Sequence, residues 1–285
     1  MLSSLCVPDR LKSCFACCPP IRPAGYEHLD HKNIIRKVLL ENRREYNPDD
    51  RDVRPVTGFS CWALGFIDPE KKQAGCLLHP CRNNGNDLRF RIDYGNKCLR
   101  EGCREAGIFE TLNEDEKGFW LSLTEDLDSF EYSSRKNNIL FSLLGWGNSV
   151  LSMIADEESG VRFNRTGFLE AYPFFRTGLL PKGNAYLLTA VVSRAGTSIL
   201  KEKDFRKLFE TLSRDLISEI NKGFYTGEGP VFVHTMDLDG LFSDFLRVLL
   251  NIKKSDQSTA EKIKLFTDNR LGLFLKGIKE WKNRS

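Results

Sequence analysis

The sequence predicts a mainly α fold: a cysteine-rich, loop-rich N-terminal metal module over residues 1–110, packed on an all-helical body over 111–285. Three observations predict it. All nine cysteines fall at or before Cys103. The same stretch is full of turn signals and poor in apolar periodicity, a composition that needs a staple such as a metal or disulfides. From Leu112 onward, apolar residues recur at steps of three and four, the spacing of one helix face.

The elements follow in order. Residues 1–25 carry Pro8, Pro19, Pro20 and Pro23, which break regular structure. A helix is expected over 26–45, where Ile34, Ile35, Val38 and Leu39 lie at helical spacing. "YNPDDRDVRPVTG" reads as a polar loop, because Asn47-Pro48 and Arg54-Pro55 both disfavour helix before the proline. "CWALGFID" is a short strand or a helix start. Alternation at Leu88, Phe90, Ile92 and Tyr94 predicts one strand ending at Gly95.

In the body, Asn113 and Glu116 stand at capping-box spacing. Phe119, Trp120, Leu123 and Leu127 then form an apolar face. Another helix is expected over 138–156, loops over 163–183, and a short helix over 185–194. "KDFRKLFETLSRDLISEINKGF" gives the clearest helix, with Phe205, Leu208, Phe209, Leu212, Leu216, Ile217 and Ile220 on one stripe. Helices over 238–252 and 260–281 follow, the last with Ser258 and Glu261 at capping-box spacing. The aromatic group Phe119, Trp120, Phe130 and Tyr132 reads as core, and alternatively as a substrate groove beside the module. The body, from residue 110 on, is expected to fold by itself.

Composition excludes several classes. Lys and Arg number 42 against 39 Asp and Glu, a net charge of +3. That mixed balance carries no nucleic-acid or anionic-membrane footprint. No apolar run approaches the ~20 residues of a bilayer span. The five residues before Cys6 are too few for a signal peptide, whose apolar core alone takes roughly 7–15. The expectation is a cytoplasmic protein, with an unidentified protein as its only foreseeable partner.

The cysteines carry the chemistry. Cys14 and Cys17 form C-x2-C, followed at once by Cys18. Cys76 and Cys81 form C-x4-C, as do Cys98 and Cys103, and Cys61 stands between these groups. Short spacings let two thiolates turn toward one ion, and distant pairs can close one site. Disulfides need an oxidising compartment, and buried free thiols would scatter along the chain. Metal binding is therefore the expectation, through Cys14, Cys17, Cys18, Cys61, Cys76, Cys81, Cys98 and Cys103. Four thiolates suit zinc or an iron–sulfur cluster equally. Adjacent Cys17 and Cys18 point apart in most backbones, which favours a cluster or two sites. Cys6 has no close partner in sequence.

Cys14-x2-Cys17-Cys18, followed by "CWALGFIDPEKKQAGCLLHPC", resembles the widespread zinc- or iron-chelating family marked by a CxxCxxCC motif. In that family an N-terminal cysteine cluster precedes C…(G)C-x-x-[YH]-P and often a further cysteine. Cys61, Gly75, Cys76, His79, Pro80 and Cys81 stand at those positions. The flagellin lysine N-methylases belong to the same broad group, for which an iron–sulfur cluster has been proposed. The match spans about residues 11–104. It departs at the first motif position, where Leu11 stands, and Cys98 and Cys103 are additions.

Other candidates are weaker. His79 is either a ligand, a donor to a thiolate, or packing at a turn. His28 and His31 share a helix face and read as solvated; His234 reads as structural. "GWGN" at 145–148 and "GEGP" at 227–230 read as bends, and "DLDG" at 237–240 lacks the other ligands of a calcium loop. The leading reading is a cytoplasmic protein binding iron–sulfur or zinc, with no reaction assigned. A cluster-dependent, methyltransferase-like modifying enzyme and a zinc-stapled adaptor without catalysis are the alternatives.

Overall fold

The computed structural model describes residues 4–17, 27–57, 60–94, 98, 103–176, 179–224 and 229–282. The protein is mainly α, and its sheets are three two-stranded pairs among the described residues. The chain divides into two compact units, Met1–Phe141 and Ser142–Ser285.

The first unit begins its regular structure with a 3-10 turn at Leu29–His31 and α1 at Lys32–Glu45. Ile35 and Leu39 face the core, whereas Ile34 is 67% exposed. Helix α1 packs on β2 (Leu64–Phe66), which pairs antiparallel with β3 (Ala74–Cys76) and sets Leu64 opposite Cys76. Asn42 ties helix to strand. Its Nδ2 donates to the carbonyls of Cys61 at 3.1 Å and Leu64 at 2.7 Å. "CWALGFID" is thus a strand. The turn after it is held by Asp68, whose carboxylate accepts the amides of Lys72 and Gln73.

A second small sheet pairs β1 (Arg54–Pro55) in parallel with β4 (Ile92–Asp93). The strand expected from Leu88 shrinks to these last two residues. Asp87 accepts the Arg89 amide at 3.0 Å and its Nε at 2.9 Å, which curls Arg89–Arg91 into a 3-10 turn. Phe90 is left 44% exposed while Ile92 is buried.

Helices α2 (Arg104–Glu110), α3 (Glu114–Ser122) and α4 (Ser129–Ser133) follow, then α5 (Ile139–Leu144). The capping box at Asn113 and Glu116 is present, and Asp128 with Glu131 forms a second. The sequence places α3, α4 and α5 with the body. The division between units instead falls within α5.

The physical reason is α4. Ser129 Oγ accepts the Ser13 amide at 3.1 Å, and Ser133 Oγ accepts the Phe15 amide at 2.9 Å. Ser129 Oγ donates to the Lys72 carbonyl and Tyr132 OH to the Leu5 carbonyl. Phe130 meets Phe15 edge-on at 5.3 Å. Trp120, Phe130 and Tyr132 are therefore core.

In the second unit the helix expected over 138–156 is two helices. Gly147 sits at φ 91°, a conformation open to glycine, and separates α5 from α6 (Asn148–Glu157). The stretch expected as loop holds α7 (Arg165–Ala171) and a 3-10 turn at Pro173–Phe175. Asn164 caps α7 by accepting the Gly167 amide, and buried Phe168 stacks on Tyr172 at 5.0 Å. Pro181, preset for a first helical position, starts α8 (Pro181–Ala195) earlier than its apolar residues suggest.

Helix α8 is central to this unit. It packs against α6, α10 (Gly240–Asp244), the π-helical turn Phe245–Leu249 and α11 (Gln257–Lys282). The stripe of α9 (Phe205–Gly223) buries Phe205, Phe209, Leu212, Leu216 and Ile220, as the periodicity predicts. "DLDG" serves as a helix start, with Asp239 accepting the amides of Leu241 and Phe242. Helix α11 begins before Ser258, because Asp256 takes the capping role and accepts the Thr259 amide at 2.8 Å. Strands β5 (Val231–Phe232) and β6 (Lys254–Ser255) form the third pair.

Candidate metal centre

The site is built from three regions of the first unit. The N-terminal segment is pinned on both sides of Cys14 by the serines of α4, so Cys14 is held in place. Its amide donates to the Cys6 carbonyl at 2.8 Å, closing a loop over 6–14. Its sulfur accepts the Ala16 amide at 3.4 Å. Burial raises the Cys14 thiol well above its ordinary range, and negative charge on Cys17, Cys6 or Cys103 would raise it further.

The small sheet presents the second region. Cys61 precedes β2 and is buried; Cys76 ends β3 and is half-buried. Burial pushes the Cys61 thiol up to about 11 and the Cys76 thiol up to about 12. The charges of Cys98 and Cys17 act on both in the same sense, and Cys61 acts on Cys76. Backbone amides oppose this: Ala63 and Leu64 at Cys61, and Leu78 at Cys76, each favour the thiolate.

The third region is Cys103, at the start of α2. Its sulfur donates to Glu105 at 3.0 Å and lies 3.7 Å from Arg135 Nη2. Arg135 also pairs with Glu105 through both oxygens, at 2.7 and 3.2 Å. Burial, then the Glu105 hydrogen bond, pushes the Cys103 thiol up to about 11.

Six of the eight predicted ligands therefore come into one unit. Cys61 and Cys76 each feel the charge of Cys17 and Cys98, and Cys14 feels that of Cys6, Cys17 and Cys103. Exposed Cys17 belongs to both groups. Cys18 and the side chain of Cys81 lie outside the described residues. Among the described residues, no three His, Cys, Asp or Glu side chains stand close enough to hold a metal ion. The donor chemistry fits a soft ion; the spacing of the described thiols is wider than ligation requires.

Several expectations change. Cys6, isolated in sequence, is joined to Cys14 by backbone and by charge. His28 is buried rather than solvated, its ring 4.6 Å from that of Phe15, while His31 is exposed. His79 donates its amide to the Cys76 carbonyl at 3.3 Å. Burial and the nearby Arg89 lower its pKa. The Cys103–Glu105–Arg135 group and the serines of α4 escape sequence reading. The one available signal was the capping box in "DSFE", Asp128 to Glu131.

The thiols link stability to pH. The folded values for Cys61, Cys76 and Cys103 lie above the ordinary 9.0. Their contribution is complete below that value and is lost as pH rises through about 11 to about 12. Metal-free protein should therefore lose thermal stability above about pH 9. Melting curves across this range check it, with Cys76→Ser expected to flatten the decline. An equal decline in that variant would contradict the assignment to Cys76.

No family model matches the chain, and neither a characterised protein nor a solved structure matches it. The resemblance to the CxxCxxCC chelating family rests on the motif residues themselves.

Proposed function

We propose that the first unit is a metal-binding module whose clustered thiolates hold an iron–sulfur cluster or zinc. The observation that carries this reading is that Cys61 and Cys76, brought together by the pairing of β2 with β3, each feel the charge of Cys17 and Cys98 from segments far apart in sequence. Amide donors at Cys14, Cys61 and Cys76 support it, because hydrogen bonds to sulfur stabilise the thiolate that a metal binds. Buried thiols with raised pKa values hold their protons near neutrality. Metal uptake would release those protons and draw the sulfurs closer.

Cys18 and Cys81 remain candidate ligands on sequence grounds. The metal's role in this reading is to close the module.

Protein prepared without air tests the reading. Absorption near about 400 nm with bound iron identifies a cluster, and colourless protein with stoichiometric zinc identifies a zinc site. Colourless protein free of both metals would overturn the proposal.

A further inference from the structure

A second cluster in the first unit uses none of the cysteines. Arg91 ends the 3-10 turn before β4, and its side chain is 1% exposed. The parallel pairing of β1 with β4 sets Arg54 opposite Ile92, the residue after Arg91. Both guanidinium carbons lie 5.6 Å from the centre of the Trp62 ring.

One carboxylate serves both cations. Asp50 Oδ2 accepts from Arg54 Nη2 and stands 3.4 Å from Arg91 Nη2. Asp50 Oδ1 accepts the Asp52 amide at 2.8 Å. That amide, with Arg54 and Arg91, holds the Asp50 carboxyl below its ordinary range, so it is charged at neutral pH. The cluster carries two positive charges against one negative.

Arg91 Nε and Nη1 are buried with no hydrogen-bond acceptor among the described residues. A guanidinium cannot shed its charge, so a buried one needs acceptors that also carry negative charge. The chain segment that supplies Asp50, Arg54 and Trp62 also holds two buried hydroxyls without partners among the described residues, Tyr46 OH and Ser60 Oγ. Arg54 is 49% exposed, which gives the cluster a solvent-facing side.

We propose that Arg91, with Arg54 as the second cation, forms a binding site for a small oxyanion, a phosphate or a carboxylate. The planar fork of a guanidinium matches either ligand, and one bound negative charge balances the cluster.

The test is the melting temperature of the full chain in sodium phosphate, sodium acetate and sodium chloride at matched ionic strength. Phosphate or acetate should raise it saturably, by about 5 °C at a hundredfold excess over Kd, and chloride should not. Arg91→Met should abolish the rise. No saturable rise with either oxyanion, an equal rise with chloride, or a rise that survives Arg91→Met would overturn the site. Should Arg91→Met fail to fold, the Arg91 Nε–H resonance of the wild-type protein decides. A saturable shift with the stabilising anion supports the site, and an unmoved resonance overturns it.

Discussion

Cys76→Ser is expected to strip the metal from the first unit and lower that unit's melting temperature, leaving it folded at ordinary temperature. Cys76 ends β3 opposite Leu64, is half-buried, and feels the charges of Cys61, Cys17 and Cys98. Losing one thiolate of four removes part of the binding free energy. For structural zinc the whole is about 10 kcal/mol or more, so even a partial loss is large beside the stability of a small domain. Cys61→Ser, Cys17→Ser and Cys98→Ser should act alike. Cys6→Ser and Cys103→Ser, placed in the other group, distinguish one site from two. If they leave metal content unchanged, the ion sits at Cys61 and Cys76. Full metal content in Cys76→Ser would contradict this placement.

The second large effect concerns where the chain can be cut. Residues 138–285, which keep α5 whole, should retain strong helical circular dichroism and unfold cooperatively. Beginning at residue 110 should add no stability. Helices α3 and α4 would then be present without Leu5, Ser13, Phe15 and Lys72, the partners of Tyr132, Ser129, Ser133 and Phe130. Phe130 and Tyr132 would be uncovered, and the longer fragment should aggregate more readily. A higher melting temperature for 110–285 than for 138–285, or a random-coil spectrum for 138–285, would contradict the division within α5.

Local signals were legible and distant ones were not. The stripe of α9 and the capping box at Asn113 were readable because each depends on residues three or four apart. The break at Gly147 was marked by "GWGN", yet the apolar run across it reads as one helix. Capping side chains moved other boundaries: Asp87 shortened a strand and Asp256 lengthened a helix. Gly and Pro content concealed α7, because the burial of Phe168 outweighs local propensity. The bond from Ser13 to Ser129 spans most of the first unit, and no spacing rule foretells it.

The candidate site followed the same pattern. Close spacing grouped Cys14 with Cys17, but it isolated Cys6, whose neighbour Cys14 is reached by a loop. The relation between Cys61 and Cys76 depends on β2 pairing with β3, which periodicity leaves undecided. Arg91 looked like one charge among many. Its burial between Asp50 and Trp62 emerges only when β1 meets β4.

The most direct test is metal per chain in anaerobically prepared protein, measured together with the thiols that titrate in the folded state. The account predicts iron or zinc in whole-number ratio to protein, with Cys61, Cys76 and Cys98 protected until the metal is removed. Metal-free folded protein in which all nine thiols titrate would contradict it.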